Sequence, residues 1–311
     1  MNRLNLTRFI CWIFPPIIAQ RLRSNLYPRE LAVKRKIDFS KKSITGSIFN
    51  GNTEDFHGYS FCFHGYYDWR NVIIANSILK NESGDIIEIG ANIGTETISF
   101  CDIIKLKGYV HAFEPMPRNL KMLGNLRKIL DNIKIYDYAI SDKKGTASFK
   151  MPPLTSSGTG KIIIHNNENE DDLIKVKTSK LDDFVDSFNN VKLISSDTEG
   201  HEPFVLEGSK EVIVKNRPVI IIEVSPKLLR KFANSTPQHI YSFFEELKYC
   251  VHRINKFSFS NVTESDCQSN QASNWLCIPE ELKEISLRIK RNLFIRTLLP
   301  WYILKTLPNK K

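Results

Sequence analysis

Six cysteines are scattered along the chain (Cys11, Cys62, Cys101, Cys250, Cys267 and Cys277), and no two form a C-x-x-C pair. The seven histidines do not cluster. These absences argue against structural zinc and a disulfide framework, and for a reducing compartment. Long apolar runs are also missing. The best candidate, residues 4–19, is short for a bilayer span, is interrupted by Arg8, and carries Pro15-Pro16, which should break any helix. Ile18-Ala19-Gln20 makes a poor leader-cleavage site. No internal repeat is present, and the composition, 41% hydrophobic and 25% charged, is that of a globular chain with ample core.

The net charge of +10 belongs to the ends. Residues 1–42 hold ten Lys/Arg against two acids, and residues 283–311 hold eight against one, so the body, residues 43–282, is acidic overall. An acidic body offers no basic groove for nucleic acid. The basic ends read as amphipathic segments that either lie on an anionic membrane surface or pack together as a helical cap. We therefore expect a cytoplasmic protein, its ends either in peripheral contact with the inner membrane face or packed on the domain.

The most informative stretch runs from Asp85 to Thr95. Residues 85–89 fit a buried strand, Gly90 to Gly94 a tight turn, and residues 95–106 a helix. Such a unit opens a crevice at the strand's carboxyl end, where small residues admit a ligand to the backbone and the helix start offers free N–H groups. The next apolar run ends at Glu114, at the interval where doubly wound folds place an acid on ribose hydroxyls. A dinucleotide fingerprint wants three glycines, but Thr95 takes the place of the third. Glu88 beside the crevice would repel a pyrophosphate and attract an ammonium or sulfonium. S-adenosylmethionine satisfies both conditions, whereas a nicotinamide cofactor does not.

Strand patterns at 86–89, 109–113, 133–138, 191–196, 218–224, 249–254 and 275–278 alternate with helical patterns at 95–106, 117–130, 181–188, 203–215 and 238–247. That alternation predicts an α/β fold: a seven-stranded, mainly parallel sheet with helices on both faces, in one domain over residues 43–282. Residues 29–84 read as a small strand-rich region followed by a helix near 71–80. Residues 146–177 form an insertion that could cover the crevice as a lid. It includes a polar loop at 166–172.

A second constellation, Asp197-Thr198-Glu199-Gly200-His201-Glu202, follows another strand and should face the same crevice. Glu202 beside Pro203 suits a helix start. Asp197, Glu199 and His201 are the chemical candidates. Three acids in one loop do not establish a metal site. Glu223, ending its strand, either lines the acceptor pocket or pairs with a neighbour.

With these blocks in order, the chain resembles the FkbM family of S-adenosylmethionine-dependent methyltransferases. The matching pieces are residues 88–94, 113–117 with Asn125, 139–142 with Gly145, 181–183, 197–202, 206–208 and 218–223, spanning about residues 60–280. Glu88 stands where the family usually has Asp, and Ser195-Ser196 where it often has a lysine. The resemblance implies a Rossmann-like class I methyltransferase that acts on a hydroxyl of a saccharide or glycolipid-type acceptor. An amine or protein side chain is the alternative acceptor, and a catalytically silent interaction module the alternative class. Within that frame, Glu88, Gly90, Ala91, Asn92 and Gly94 would hold the methionine part, Glu114 the ribose and Asp142 the adenine edge. His201 is favoured as the base with Asp197 positioning substrate, and Glu199 beside them. The other reading of His201 is that it stabilises its loop.

Overall fold

A computed structural model describes residues 2–79, 82–163 and 172–299. An N-terminal helical pair, α1 (Arg3–Ile13) and α2 (Pro16–Leu26), leads through α3 (Arg29–Arg35) into a hairpin, β1 (Asp38–Lys42) and β2 (Ile48–Asn52). Two helices follow, α4 (Phe56–His64) and α5 (Trp69–Leu79). The alternation then begins with β3 (Ile86–Ile89), α6 (Thr97–Ile104), β4 (Val110–Phe113), α7 (Pro117–Arg127) and β5 (Ile133–Tyr136). Four further strands interrupt it: β6 (Ala139–Ile140), β7 (Gly145–Lys150), β8 (Lys161–Ile163) and β9 (Leu173–Ser179). It resumes with β10 (Leu193–Ser196), α8 (Glu202–Glu207), α9 (Lys210–Asn216), β11 (Val219–Val224), α10 (Pro226–Ala233) and α11 (Pro237–Glu246). The last elements are β12 (Tyr249–Ile254), β13 (Phe259–Asn261), α12 (Glu264–Gln268), β14 (Ser273–Pro279) and α13 (Glu284–Leu298).

The main sheet has the order β13-β12-β14-β11-β10-β3-β4-β5. Strands β3, β4, β5, β10 and β11 pair in parallel, and β14 and β12 turn antiparallel. All seven expected strands are present. The eighth, β13, is a three-residue edge strand on β12, too short to leave a pattern in the sequence. Strands β3, β4 and β10 are buried along their whole length, because helices cover both faces. The chain runs outward from β3 to β4 and β5, then returns to place β10 on the other side of β3. That reversal opens a crevice at the carboxyl ends of β3 and β10, where open α/β sheets bind ligands.

Some expectations need correction. The pattern at 181–188 forms a 3₁₀ segment, Asp182–Ser187, rather than an α-helix. The pattern at 203–215 is two helices, α8 and α9, because Gly208 lies against the carbonyl of Ser141, where a Cβ would come within 1.9 Å. Helix α4 lies within residues read as a small strand-rich region. Gly58 serves a close approach there, since its Cβ would fall 2.3 Å from the Asn52 carbonyl oxygen. The insertion contributes β7, β8 and β9 to a second sheet ordered β6-β9-β7-β8. Its expected polar loop falls mostly outside the described residues.

Pro15-Pro16 does separate α1 from α2. Both ends pack on the body as far as they are described. Arg8 donates from Nε to the Cys62 carbonyl (3.0 Å), joining α1 to α4. Trp69 donates to Thr297 Oγ1 (3.1 Å) and Asn292 to Ser77 Oγ (2.8 Å), joining α13 to α5. Leu4, Cys11 and Ala19 from one end and Ile289 and Leu293 from the other share one core with β3 and β4.

Candidate active site

The turn after β3 has a backbone that its sequence makes possible. Gly90 (φ +84°), Asn92 (φ +52°) and Gly94 (φ +87°) all occupy left-handed conformations. A Cβ on Gly90 would sit 2.0 Å from the Asp197 carbonyl oxygen, so the turns after β3 and β10 are in backbone contact. The Asp197 N–H also donates to the Ile89 carbonyl (3.0 Å).

Glu114, just past β4, is buried and clamps this turn. Its Oε2 accepts from the Asn92 N–H and its Oε1 from the Met116 N–H, both at 2.8 Å. Burial pushes its carboxyl up to about 7 against the pull of those two donors. Glu88 is also buried, and burial raises it to about 8.

Above the turn lies a cavity that opens to solvent. Its walls come from the turns after β3, β4 and β10, from α4, and from the second sheet with the 157–162 segment. Several buried polar atoms on these walls lack a partner among the described residues: Glu88 Oε2, both amide atoms of Asn92, Asn119 Oδ1 and Ser157 Oγ. Such orphaned groups are costly unless a ligand completes them.

Asp197, Glu199 and Glu223 bring carboxylate oxygens within 4.8 Å of one another, close enough to share a cation. Asp197 stays open to the cavity, yet enclosure by the walls raises its carboxyl to about 7, with Glu199 adding to the effect. Glu223 is pushed higher, to about 10, first by the charge on Asp197 and then by burial. Both carboxyls are pushed upward, so the pair retains a proton near neutral pH. Lys161, from β8, lines the cavity and offsets the upward shift of Glu199.

Residues 88–251 match the family model for the methyltransferase FkbM domain. The chain belongs to that family. Among curated proteins, it is 29% identical over 157 residues to the 2-O-methyltransferase NoeI of Sinorhizobium fredii, a match covering 45% of this chain and 63% of that protein. Among solved structures, FkbM methyltransferase from Methylobacillus flagellatus KT aligns at a TM-score of 0.41 and 14% identity, over 88% of this chain and 58% of that one. Aeropyrum pernix fibrillarin with bound S-adenosyl-L-methionine aligns at 0.35 and 11%, over 67% and 76%. The chain thus spans less than two thirds of the length of NoeI and of the Methylobacillus protein.

Within the FkbM domain, Glu88, Gly90, Ala91, Asn92, Glu114, Asp197 and His201 all line the one cavity. Gly94 does not line it; it packs under α7, where a Cβ would meet Leu126 at 2.4 Å. Glu199 reaches the site through the carboxylate cluster. Asp142 is not brought to the cavity. It accepts from Ser141 Oγ (3.0 Å) and lines a separate cleft with Phe204 and Glu207, because the chain turns away after Ile140. The wall expected of it is formed instead by Tyr138, Ala139 and Ile140.

His201 is buried, stacked on Phe204 (4.6 Å between ring centres), with Nε2 against Ser141 Oγ (2.9 Å). Burial lowers its pKa to about 4, so the imidazole is neutral at pH 7. Glu202 holds the loop: its Oε1 accepts from the Thr198 N–H and Oγ1 (both 3.0 Å) and from the Gly200 N–H (3.3 Å).

Sequence reasoning missed His57 and Tyr67, which stack at 3.9 Å between ring centres and form one wall, and Glu96, Phe149 and Lys161 on the others. His57 and Tyr67 lie on α4 and in the connection to α5, before the first recognisable strand. No spacing rule ties them to the glycine turn.

Proposed function

We propose that this FkbM domain transfers a methyl group from S-adenosylmethionine to a hydroxyl of a saccharide or glycolipid-type acceptor. The observation that carries the reading is the joining of two halves in one cavity. The Gly90–Asn92 turn clamped by Glu114 and the carboxyl of Asp197, raised to about 7 beside Glu223, share the same cavity. The orphaned polar atoms of Glu88, Asn92 and Asn119 suit a ligand with an ammonium and hydroxyls. Glu114 would accept the ribose hydroxyls, since each carboxylate oxygen has capacity beyond its one N–H bond. Glu88 would face the ammonium, and Tyr138 to Ile140 would flank the base.

Bound S-adenosylmethionine supplies an activated methyl group on a sulfonium. The chain must align the acceptor with it and remove the acceptor's proton as the oxygen attacks. Asp197 is the better base on this structure. A carboxylate near 7 is matched to neutral pH, whereas a histidine near 4 is too weak a base and is already engaged with Ser141. Glu223 donates its proton to Asp197 and keeps that oxygen oriented. His201, by this reading, positions the loop through Ser141, and Glu199 with Lys161 shapes the acceptor side. The 2-O-methyltransferase name of the Sinorhizobium relative supports a hydroxyl acceptor. All six cysteines are free, which suits a reducing, cytoplasmic setting.

The test is incubation with methyl-labelled S-adenosylmethionine and a panel of oligosaccharides, glycolipids and amines, with linkage analysis of labelled products. Label on a sugar oxygen, lost in Asp197→Asn, is the expected result. Label on amines alone would overturn the acceptor assignment.

A further inference from the structure

The two chain ends carry a surface that the methyl-transfer site does not use. Residues 3–29 hold five arginines and no acid, and α13 holds Arg288, Lys290, Arg291 and Arg296 against a single acid, Glu284, in its first turn. Packing has buried one side of these helices and left large apolar side chains on the other. Leu6 and Phe9 on α1 are 42% and 51% exposed, and Ile18 on α2 is 43% exposed. Leu287, Phe294 and Leu298 are 75%, 57% and 41% exposed, and with Arg291 they follow helical spacing along one face of α13. Helix α2 touches both α1 and α13, so the three helices adjoin. Beside them Gln20, Arg21, Arg23, Ser24 and Asn25 line an open groove suited to an anionic headgroup. Among the described residues, no helix is long and apolar enough to cross a membrane.

We propose that α1, α2 and α13 together form a docking face for the surface of an anionic lipid bilayer. Exposed aromatic and aliphatic residues set among cations, with acids scarce, are what an interfacial helix needs: apolar groups to enter the acyl boundary and cations to meet lipid phosphates. A protein partner of ordinary surface composition would not call for so strong an excess of cations over acids in all three helices. The face is mechanically tied to the cavity. Helix α4 begins at the cavity wall with His57 and ends beneath α1, where Cys62 accepts from Arg8. Five residues of helix, roughly 7–8 Å, separate His57 from Cys62. Arg29 also donates to the Thr155 carbonyl (2.6 Å), next to the 156–158 rim. Docking would thus hold the cavity close to the headgroup layer, where a lipid-linked acceptor would be presented. The proposal does not depend on the methyl-transfer reading and can fail separately from it.

The test is cosedimentation of the full chain with phosphatidylcholine vesicles, with or without about 30% phosphatidylserine. The expected result is at least about tenfold stronger partitioning onto the anionic vesicles, weakening with salt. Phe9→Glu combined with Phe294→Glu should reduce it by about tenfold or more, whereas Leu106→Glu, at a 99% exposed site outside these helices, should not. Thermal melts check folding. If the double variant is unfolded, Arg21→Gln with Arg291→Gln carries the same expectation. Equal partitioning onto neutral and anionic vesicles, or partitioning unaffected by both double variants, would overturn the proposal. So would absence of vesicle binding with a concentration-dependent dimer that Phe9→Glu dissolves, since a second copy would then cover the face.

Discussion

Glu202→Gln offers the sharpest check on the electrostatics of the site, because it separates a buried charge from a buried acid. Glu202 is 1% exposed, and burial lifts its carboxyl from 4.5 to about 7. Its Oε1 takes three donors from the 198–200 loop, while its Oε2 has no partner among the described residues. A raised folded pKa means that the native state binds the proton more tightly than the unfolded chain. The resulting stabilisation is complete below 4.5 and is lost as pH rises through about 7. A shift of that size corresponds to about 3 kcal/mol at low pH, of which about 1 kcal/mol disappears between roughly pH 6 and pH 8. Glutamine reproduces the protonated form, with its carbonyl toward the three donors and its amide where Oε2 stood. The variant should therefore melt within about 1 kcal/mol of the parent near pH 5, and between pH 6 and pH 8 its Tm should fall less than the parent's, by about 2–3 °C. Thermal melts of both proteins across this range give the answer. A variant that is about 3 kcal/mol less stable near pH 5, with an unchanged pH slope, would show that Glu202 is already ionised there and would refute the reasoning.

Other substitutions probe the site from different sides. Gly90→Ala forces a Cβ against the Asp197 carbonyl at a left-handed position; calorimetry should show at least about 100-fold weaker cofactor binding, and melts a loss of about 2–3 kcal/mol. Asp197→Asn should lower methyl transfer by about 10²–10⁴-fold while cofactor affinity stays within about threefold, whereas Glu223→Gln, which mimics the protonated partner, should cost less than about tenfold. Comparable losses in the two variants would mean that Glu223 must ionise. The parent's transfer rate should climb with pH through about 7, with the rate near pH 6 about a tenth of the plateau. A flat profile would remove Asp197 as the base.

The glycine turn and the placement of Glu114 against it were legible because their signals are local. Buried strands leave continuous apolar runs, left-handed turns need Gly or Asn, and Glu114 falls at an interval fixed by the strand-helix-strand unit. The seven strands followed from the same logic. What escaped the sequence depends on long-range packing. Asp142 stands in an inviting acidic turn, but whether that turn faces the cavity is decided by the path of β6 into the second sheet. His201 suggested a base by residue type, whereas its burial against Phe204 and Ser141, which lowers its pKa, is set by packing that no local pattern announces. His57 and Tyr67 reach the cavity because α4 packs there, a contact with no sequence spacing to announce it. The basic ends illustrate the same limit, since charge placement marked them as amphipathic while only the packing of α1, α2 and α13 shows which side remains open.

The central claim is that the cavity is an S-adenosylmethionine site held by Glu114. Calorimetric titration of the full chain with S-adenosylmethionine and, separately, with NAD tests it directly, with Glu114→Ala titrated alongside. The account predicts binding of S-adenosylmethionine alone, weakened at least about 100-fold in the variant through loss of the ribose contacts and of the clamp on the Gly90–Asn92 turn. Binding of NAD, binding of neither, or undiminished binding by a folded Glu114→Ala protein would contradict it.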